Sequence, residues 1–318
     1  MHAVTVVDGA LRWQEHPDPA PGPEELLVDV RAAGVNAADL MQRQGLYPAP
    51  PGWPADIPGM ELAGTVRAAG DRCFRFGPGD RVMAVVGGGA QAELAVVHER
   101  TALPVPDGVS WPEAGGFPEV FTTAHDALFS QCGLTVGERL LVHGAAGGVG
   151  VAAVQLAARA GARVVASVRN EARRVDVAEL AAASGAVTVI GPDAHARHAP
   201  YDVILEVVGA PNLPDDLDAL ATGGRVAVIG VGAGGHAEVN LLTLMQRRGR
   251  IHGSTLRVRP LEQKAAAAQL VERHALPLLA RGEIRVPVEA AVPLPEATAA
   301  YERFETGGKF GKVVLVAP

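Results

Sequence analysis

Two rhythms run along the chain. Over the first third, short Val- and Leu-rich runs at 26–30, 64–69, 81–86 and 92–97 are broken by clusters of Gly, Pro and Asp. Short strands punctuated by turn formers predict a partly open barrel or sandwich. From residue 119 the apolar runs fall at 139–143, 163–168, 187–190, 202–207, 225–230 and 250–255, with helical segments between several of them. That alternation predicts an α/β architecture with a doubly wound parallel sheet. One helix is expected at 149–160, stopped by Gly161. Beyond 257, a helical stretch at 262–281 bent at Pro277 precedes a strand at 284–288, a helix at 296–306 and a last strand at 312–317. A return to β-structure after a parallel sheet implies that the C-terminal segment rejoins the first domain. The expected domains are 1–118 completed by 257–318, and 119–256.

Composition narrows the class. Aromatic residues are only 4% of the chain, so its cores are expected to be Val, Leu and Ala. The net charge of −7 argues against nucleic-acid partners, whose phosphates are neutralised by Lys and Arg. No apolar run approaches the roughly 18 residues needed to span a bilayer, so no membrane association is expected. The first residues carry no basic-then-apolar leader. Cys73 and Cys132 lie far apart and read as small buried apolar side chains, which makes the cytoplasm the expected compartment.

The chemistry concentrates in residues 141–150, Leu-Val-His-Gly-Ala-Ala-Gly-Gly-Val-Gly. A strand-like run precedes them and a helix-like run follows. Glycines in that context form a dinucleotide fingerprint, because a pyrophosphate must approach bare backbone N–H groups at a helix N-terminus. Gly147, Gly148 and Val149 are expected to supply those groups. Sheets that bind NAD carry an acid at the end of the second strand, about 20 residues beyond the glycines. Here Ser167 and Arg169 stand at that strand end, with Arg173 one turn on. Arginine forks suit a 2′-phosphate, so NADPH is expected over NADH. The alternative is that Arg169, Arg173 and Arg174 form the solvated start of the next helix, although basic residues there oppose the helix dipole. Val208-Gly209 and Gly230-Val231 end the fourth and fifth strands, where ligands sit in open α/β sheets.

Further segments carry a family resemblance. They are 33–45 (Ala-Gly-Val-Asn-Ala-Ala-Asp-Leu-Met-Gln-Arg-Gln-Gly) with Tyr47-Pro48, Pro58-Gly59-Met60-Glu61, Gly79-Asp80-Arg81-Val82, 87–92, Phe117-Pro118-Glu119 with Thr123-Ala124, and Gly311-Lys312-Val313-Val314-Leu315. With the glycine segment, they make the chain resemble zinc-free members of the medium-chain dehydrogenase/reductase superfamily. Within it the chain is most similar to NADPH:quinone oxidoreductases, especially the p53-inducible type. The resemblance implies a GroES-like β-rich catalytic domain built from both chain ends, an inserted Rossmann domain, an active site in the cleft between them, and a homodimer joined through the strand at 250–255. Zinc-dependent relatives place Cys where this chain has Asn36, and His where Met60 precedes Glu61. Asn and Met are poor zinc ligands, so no metal is expected. His195 and His198 read as solvated.

Without a metal to acidify an alcohol, reduction of an electrophilic conjugated carbonyl is the easier chemistry. The expected reaction is hydride or single-electron transfer from NADPH to a quinone or activated alkene. By resemblance Tyr47 lies near the nicotinamide as hydrogen-bond donor and acid; the alternative is a surface tyrosine packing the proline-rich loop at 48–54. Asn36 is expected to face the nicotinamide and donate to a substrate oxygen or a nicotinamide-ribose hydroxyl, the alternative being a turn-forming Asn after Gly34, and Glu61 is expected to be structural. Trp53 reads equally as a flat apolar wall or a loop anchor. Arg257, or Thr255 beside it, is expected at the cleft mouth as a substrate-binding group. Thr123 is expected to approach the cofactor. Lys312 either reaches the pyrophosphate or is an ordinary strand-edge lysine. Relatives with Asn-Tyr after the third strand pack the adenine there, whereas this chain has Ile190-Gly191. Two competing functions stand beside this one. The first is an enoyl-thioester reductase for CoA or carrier-protein substrates. The second is a non-catalytic NADPH-binding protein of the RNA-binding zeta-crystallin kind, against which the acidic balance speaks.

Overall fold

The computed structural model describes residues 1–180 and 186–317. The chain divides into two compact units, Met1–Glu119 with the segment from Leu256 onward, and Val120–Thr255.

In the first unit β1 (His2–Val7) and β2 (Ala10–Glu15) pair antiparallel about Asp8-Gly9. Both turn residues have positive φ (51° and 76°), which matches the twist of a two-residue hairpin. Then come β3 (Glu25–Val35), α1 (Ala37–Arg43), β4 (Glu61–Ala69), β5 (Arg81–Val85), β6 (Leu94–His98), β7 (Ala102–Pro104) and α2 (Trp111–Gly115). β3 is the spine: β4 and β6 both pair antiparallel to it. Inward residues of β3, β4, β5 and β6, among them Leu26, Val28, Leu62, Val82 and Val97, form one core.

α3 (Pro118–His125) leads into the second unit. There follow β8 (Arg139–Val142), α4 (Gly148–Arg159), β9 (Arg163–Ser167), α5 (Arg174–Glu179), β10 (Val187–Ile190), β11 (Tyr201–Glu206), α6 (Leu213–Ala219), β12 (Leu220–Val228), α7 (Leu241–Arg247) and β13 (Arg250–Gly253). The sheet order is β10-β9-β8-β11-β12-β13, parallel throughout. This is the Rossmann order, and the chain reverses its direction of growth between β8 and β11. The uninterrupted apolar runs of β8 and β11 follow from helices packed against the sheet, since central strands of a parallel sheet are buried.

The returning segment holds α8 (Leu261–His274), α9 (Leu276–Ala280), β14 (Val288–Pro293), α10 (Ala297–Glu305) and β15 (Lys312–Val316). β15 pairs antiparallel with β3, Val313 opposite Val35, and so completes the first unit's sheet. The order there is β14-β15-β3-β4-β5-β7, with β6 also on β3. Two expectations shift. The bend near Pro277 falls at Ala275, because the proline occupies the first turn of α9, where its missing N–H is tolerated. The strand expected at 284–288 instead runs Val288–Pro293. Ile284 and Val286 are 1% and 4% exposed, so their alternation anchors a loop to the core rather than feeding a ladder. No helix among the described residues is long and apolar enough to cross a membrane.

Candidate active site

The second unit carries the nucleotide elements. β8 ends at Val142, and the turn from His143 to Gly147 delivers the chain into α4. Gly144 adopts φ +60°, and a β-carbon on Gly150 would lie 2.4 Å from the Gly144 carbonyl oxygen. The first glycine therefore permits the turn and the last lets the helix close onto it. Gly147 caps α4 without a side chain and spends its N–H on the Gly144 carbonyl at 2.9 Å, which corrects its expected role as a pyrophosphate donor, and Gly148 and Val149 open the helix. First-turn N–H groups have no acceptor inside a helix, and no acidic side chain occupies this first turn. The cradle fits a dinucleotide pyrophosphate.

Ser167 ends β9 and is 3% exposed. Arg169 is exposed at the following bend. Arg173 is half-buried and pairs with Asp176 at 3.2 Å; Arg174 pairs with Glu171 at 3.3 Å and donates to the Val168 carbonyl. Arg174 also covers Gly191, where a β-carbon would meet its Nη2 at 2.8 Å. Gly209 and Val231 reach the wall of a cavity of about 210 Å³ beyond β11 and β12. The Val208 and Gly209 N–H groups donate to the Glu206 carboxylate, so neither is left as a donor for a ligand. Gly230 packs on Val207, and Thr123 is buried on α3.

The first unit gathers Tyr47, Trp53 and Arg257. Arg257 is 3% exposed, which corrects the expectation of a mouth residue. Its Nε donates to the Gly87 carbonyl at 2.7 Å, its Nη1 to the Tyr47 carbonyl at 3.0 Å, and its Nη2 to Gln42 Oε1. A buried guanidinium must find acceptors, and this one binds the Tyr47 segment, α1 and the turn after β5 together. The Tyr47 hydroxyl takes no hydrogen bond among the described residues. Burial pushes its phenol above the ordinary value, with the Arg257 charge pulling it partly back. The Trp53 indole lies against Gly87, where a β-carbon would come within 2.5 Å of its Nε1. Trp53 also packs on the first unit's core, and the Lys264 ammonium sits 5.9 Å from its ring centroid. Burial and the Arg257 charge lower the Lys264 pKa.

Asn36 and Lys312 depart from expectation. Lys312 is 3% exposed, and its Nζ faces the Val35 carbonyl at 3.0 Å, Asn36 Oδ1 at 2.6 Å and Glu61 Oε1 at 2.7 Å. An ammonium has three N–H donors, so none is left for a pyrophosphate. Asn36 gives its amide hydrogens to Glu61 at 2.9 Å and to the Gly34 carbonyl at 3.4 Å, leaving no donor for a substrate oxygen. Glu61 completes the cluster by accepting the Glu119 N–H at 2.9 Å. These residues fix β3, β4, β15 and the start of α3 to one another.

A second buried cluster lies in the second unit, outside the residues expected to be functional. His143, 3% exposed, holds Asp216 Oδ1 at 2.7 Å through Nε2, with Glu206 Oε2 3.9 Å away. Donor atoms of the three lie within 4.8 Å of one another. Burial alone would lower the His143 pKa, but the Asp216 hydrogen bond and the two carboxylate charges outweigh it and hold the imidazolium above its ordinary value. His195, expected in solvent, packs edge-on to His143 with ring centroids 5.7 Å apart, and its Nδ1 meets the Pro192 carbonyl. The available signal was the acid at the end of the fourth strand, Glu206.

Comparison with known proteins agrees with the two-part architecture. The alcohol dehydrogenase GroES-like domain family matches residues 22–107, and the zinc-binding dehydrogenase family matches residues 148–273. The quinone oxidoreductase of Mus musculus is 31% identical over 308 residues, covering 94% of this chain and 91% of the relative. A segment of erythronolide synthase from Saccharopolyspora erythraea is 36% identical over 316 residues, covering 95% of this chain but 8% of that protein. The quinone oxidoreductase of Thermus thermophilus, solved alone and in complex with NADPH, superposes with a TM-score of 0.85 at 32% identity over 99% of this chain and all of that one.

Proposed function

Because the chain belongs to the medium-chain dehydrogenase/reductase family, with quinone oxidoreductases among its relatives, we propose that this oxidoreductase is a metal-independent NADPH:quinone oxidoreductase. Its acceptors are quinones or other activated conjugated carbonyls. The observation that carries the reading is Tyr47, a half-buried residue whose hydroxyl has no partner among the described residues while its backbone is clamped by Arg257.

The coenzyme supplies the reducing equivalents. Negative charge then develops on a conjugated oxygen, which needs a hydrogen-bond donor and afterwards a proton. Tyr47, kept protonated by its surroundings, provides both. Trp53 offers a flat face to a ring. Gly148 and Val149 hold the pyrophosphate at the turn that Gly147 shapes, and Arg169 with Arg173 takes the 2′-phosphate. Thr123, Ser167, Gly209 and Val231 shape the nucleotide site. Metal independence rests on Lys312: its ammonium lies against Asn36 and Glu61, and a second cation there would meet that charge directly.

A second reading is an enoyl-thioester reductase, and a segment of an erythronolide synthase stands among the chain's relatives. Turnover of a para-quinone and of a crotonyl thioester with NADPH separates the two. Faster turnover of the quinone supports the first reading, and reaction of the thioester alone overturns it.

A homodimer is part of the proposal. β13 is an edge strand of the parallel sheet, and Ile251 on it is 38% exposed. Leu241, Leu242 and Met245 on the neighbouring α7 are 67%, 60% and 71% exposed. An apolar surface beside an open strand edge suits a second copy of the chain.

A further inference from the structure

We propose that the amino-terminal edge of the parallel sheet holds a second anion site, one that takes a phosphorylated small molecule. A cavity of about 420 Å³ opens there, walled by Arg139, Arg163, Thr188, Arg197, His198 and small apolar side chains. Arg139 and Arg163 are the first residues of β8 and β9, Thr188 lies on β10, and Arg197 and His198 end the helical turn Pro192–His198. The glycine turn lies at the opposite end of β8, about 13 Å away for a four-residue strand. The cavity is therefore separate from the coenzyme cradle.

The charge distribution selects the ligand. The chain carries a net charge of −7, yet this cavity has three arginines and a histidine in its wall and, among the described residues, no acid. Arg163 and Arg197 form no ion pair among the described residues. Arg139 is held in place, its Nη1 donating to the His198 carbonyl at 3.0 Å. The nearby Asp202 carboxylate accepts the Arg139 backbone N–H at 2.8 Å through Oδ2 and is not part of the cavity wall. Compensation of a helix C-terminus accounts for Arg197 and His198, in the last turn of Pro192–His198, but not for Arg139 and Arg163, which begin strands.

Guanidinium forks match phosphate oxygens in pairs, and Thr188 adds a hydroxyl. The volume exceeds what inorganic phosphate fills and falls in the roughly 300–1,000 Å³ range of small-molecule pockets. A phosphate ester or nucleoside diphosphate meets both the charge and the size.

Calorimetric titration of the full chain with pyrophosphate at low ionic strength, with and without saturating NADPH, tests this site. Pyrophosphate binding is expected to persist beside NADPH and to weaken at least ten-fold in Arg163→Gln/Arg197→Gln. Both side chains are exposed, so the variant is expected to keep the parent melting temperature and NADPH affinity. A nucleoside diphosphate is expected to bind more tightly than pyrophosphate in the same NADPH-saturated protein. Unchanged pyrophosphate affinity in the double variant overturns the site, as does complete displacement by NADPH. Failure of NADPH to bind would instead strike the coenzyme assignment, and the arginine dependence of pyrophosphate binding would still decide this one.

Discussion

The guanidinium carbon of Arg257 stands 5.1 Å from the ring centroid of Tyr47, while Nη1 of the same arginine donates to the Tyr47 carbonyl at 3.0 Å. Ring and backbone of the tyrosine are thus held by one buried side chain 210 positions away in sequence. Burial lowers the arginine's pKa, against the raising charges of Asp39, Tyr47 and Glu119. The proposed acid is positioned by a residue that itself faces carbonyl oxygens.

Arg257→Lys preserves the charge and loses the fork. A lysine cannot reach Gly87, Tyr47 and Gln42 together, so acceptors are left unpaired at about 1–3 kcal/mol each. Stability is expected to fall by about 2 kcal/mol in urea unfolding. Turnover is expected to fall about ten-fold or more because the Tyr47 ring loses its support. A wild-type rate in the folded variant contradicts the positioning role.

Glu61→Gln leaves the Lys312 ammonium buried without its counter-charge. Breaking one side of a buried pair costs about 3–5 kcal/mol. The double variant Glu61→Gln/Lys312→Met is expected to regain part of that loss, since the two effects are coupled. Additive losses in denaturant titrations would show that the pair is not a unit.

Removing the basic groups after β9 tests coenzyme choice. Arg169→Ala/Arg173→Ala gives up charge-assisted bonds of about 1.5–3 kcal/mol each to a 2′-phosphate, so NADPH is expected to weaken at least ten-fold. NADH affinity is expected to hold. Loss of the Arg173–Asp176 surface pair removes under about 1 kcal/mol of stability. Equal weakening of both coenzymes in fluorescence titrations would rule out the phosphate contact.

His143 makes stability depend on pH. Its proton is held more tightly in the folded protein than at the ordinary value of 6.5. The stabilisation is therefore complete below about pH 6.5 and is lost as pH rises through the folded-state value. The unfolding midpoint is expected to drop over that interval. Asp216→Asn keeps an acceptor oxygen but removes the carboxylate charge that favours the proton, and is expected to flatten this dependence; an unaltered slope argues against His143 as its source.

Charges on the open edge test assembly. Met245→Glu/Ile251→Glu is expected to convert a dimer to a monomer in sedimentation velocity while the far-ultraviolet circular dichroism stays native. A dimer that survives both charges is built elsewhere.

What the sequence disclosed was local or periodic. Gly144 and Gly150 are legible because a left-handed turn and a close helix approach can be met only by glycine, and both needs arise within seven residues. The parallel sheet is legible because its apolar runs recur with helices between them. The Asp8-Gly9 hairpin carried a local signal that went unread beside the longer Val-rich runs. Lys312 and Arg257 could not be placed this way: the former meets Asn36 across 276 positions, the latter Gln42 across 215. A basic residue near a proposed site reads as a ligand until its acceptors are seen. Ile284 and Val286 misled for a related reason, because burial without pairing gives the same alternation as a strand.

Steady-state NADPH oxidation by the wild-type protein and by Tyr47→Phe, over ortho-quinones, para-quinones and α,β-unsaturated carbonyls, bears most directly on the proposed chemistry. The wild-type protein should consume NADPH in step with the acceptor, and the variant should turn over about a hundred-fold more slowly while binding NADPH as tightly. Absence of oxidation with every acceptor, or equal rates for the two proteins, would contradict it.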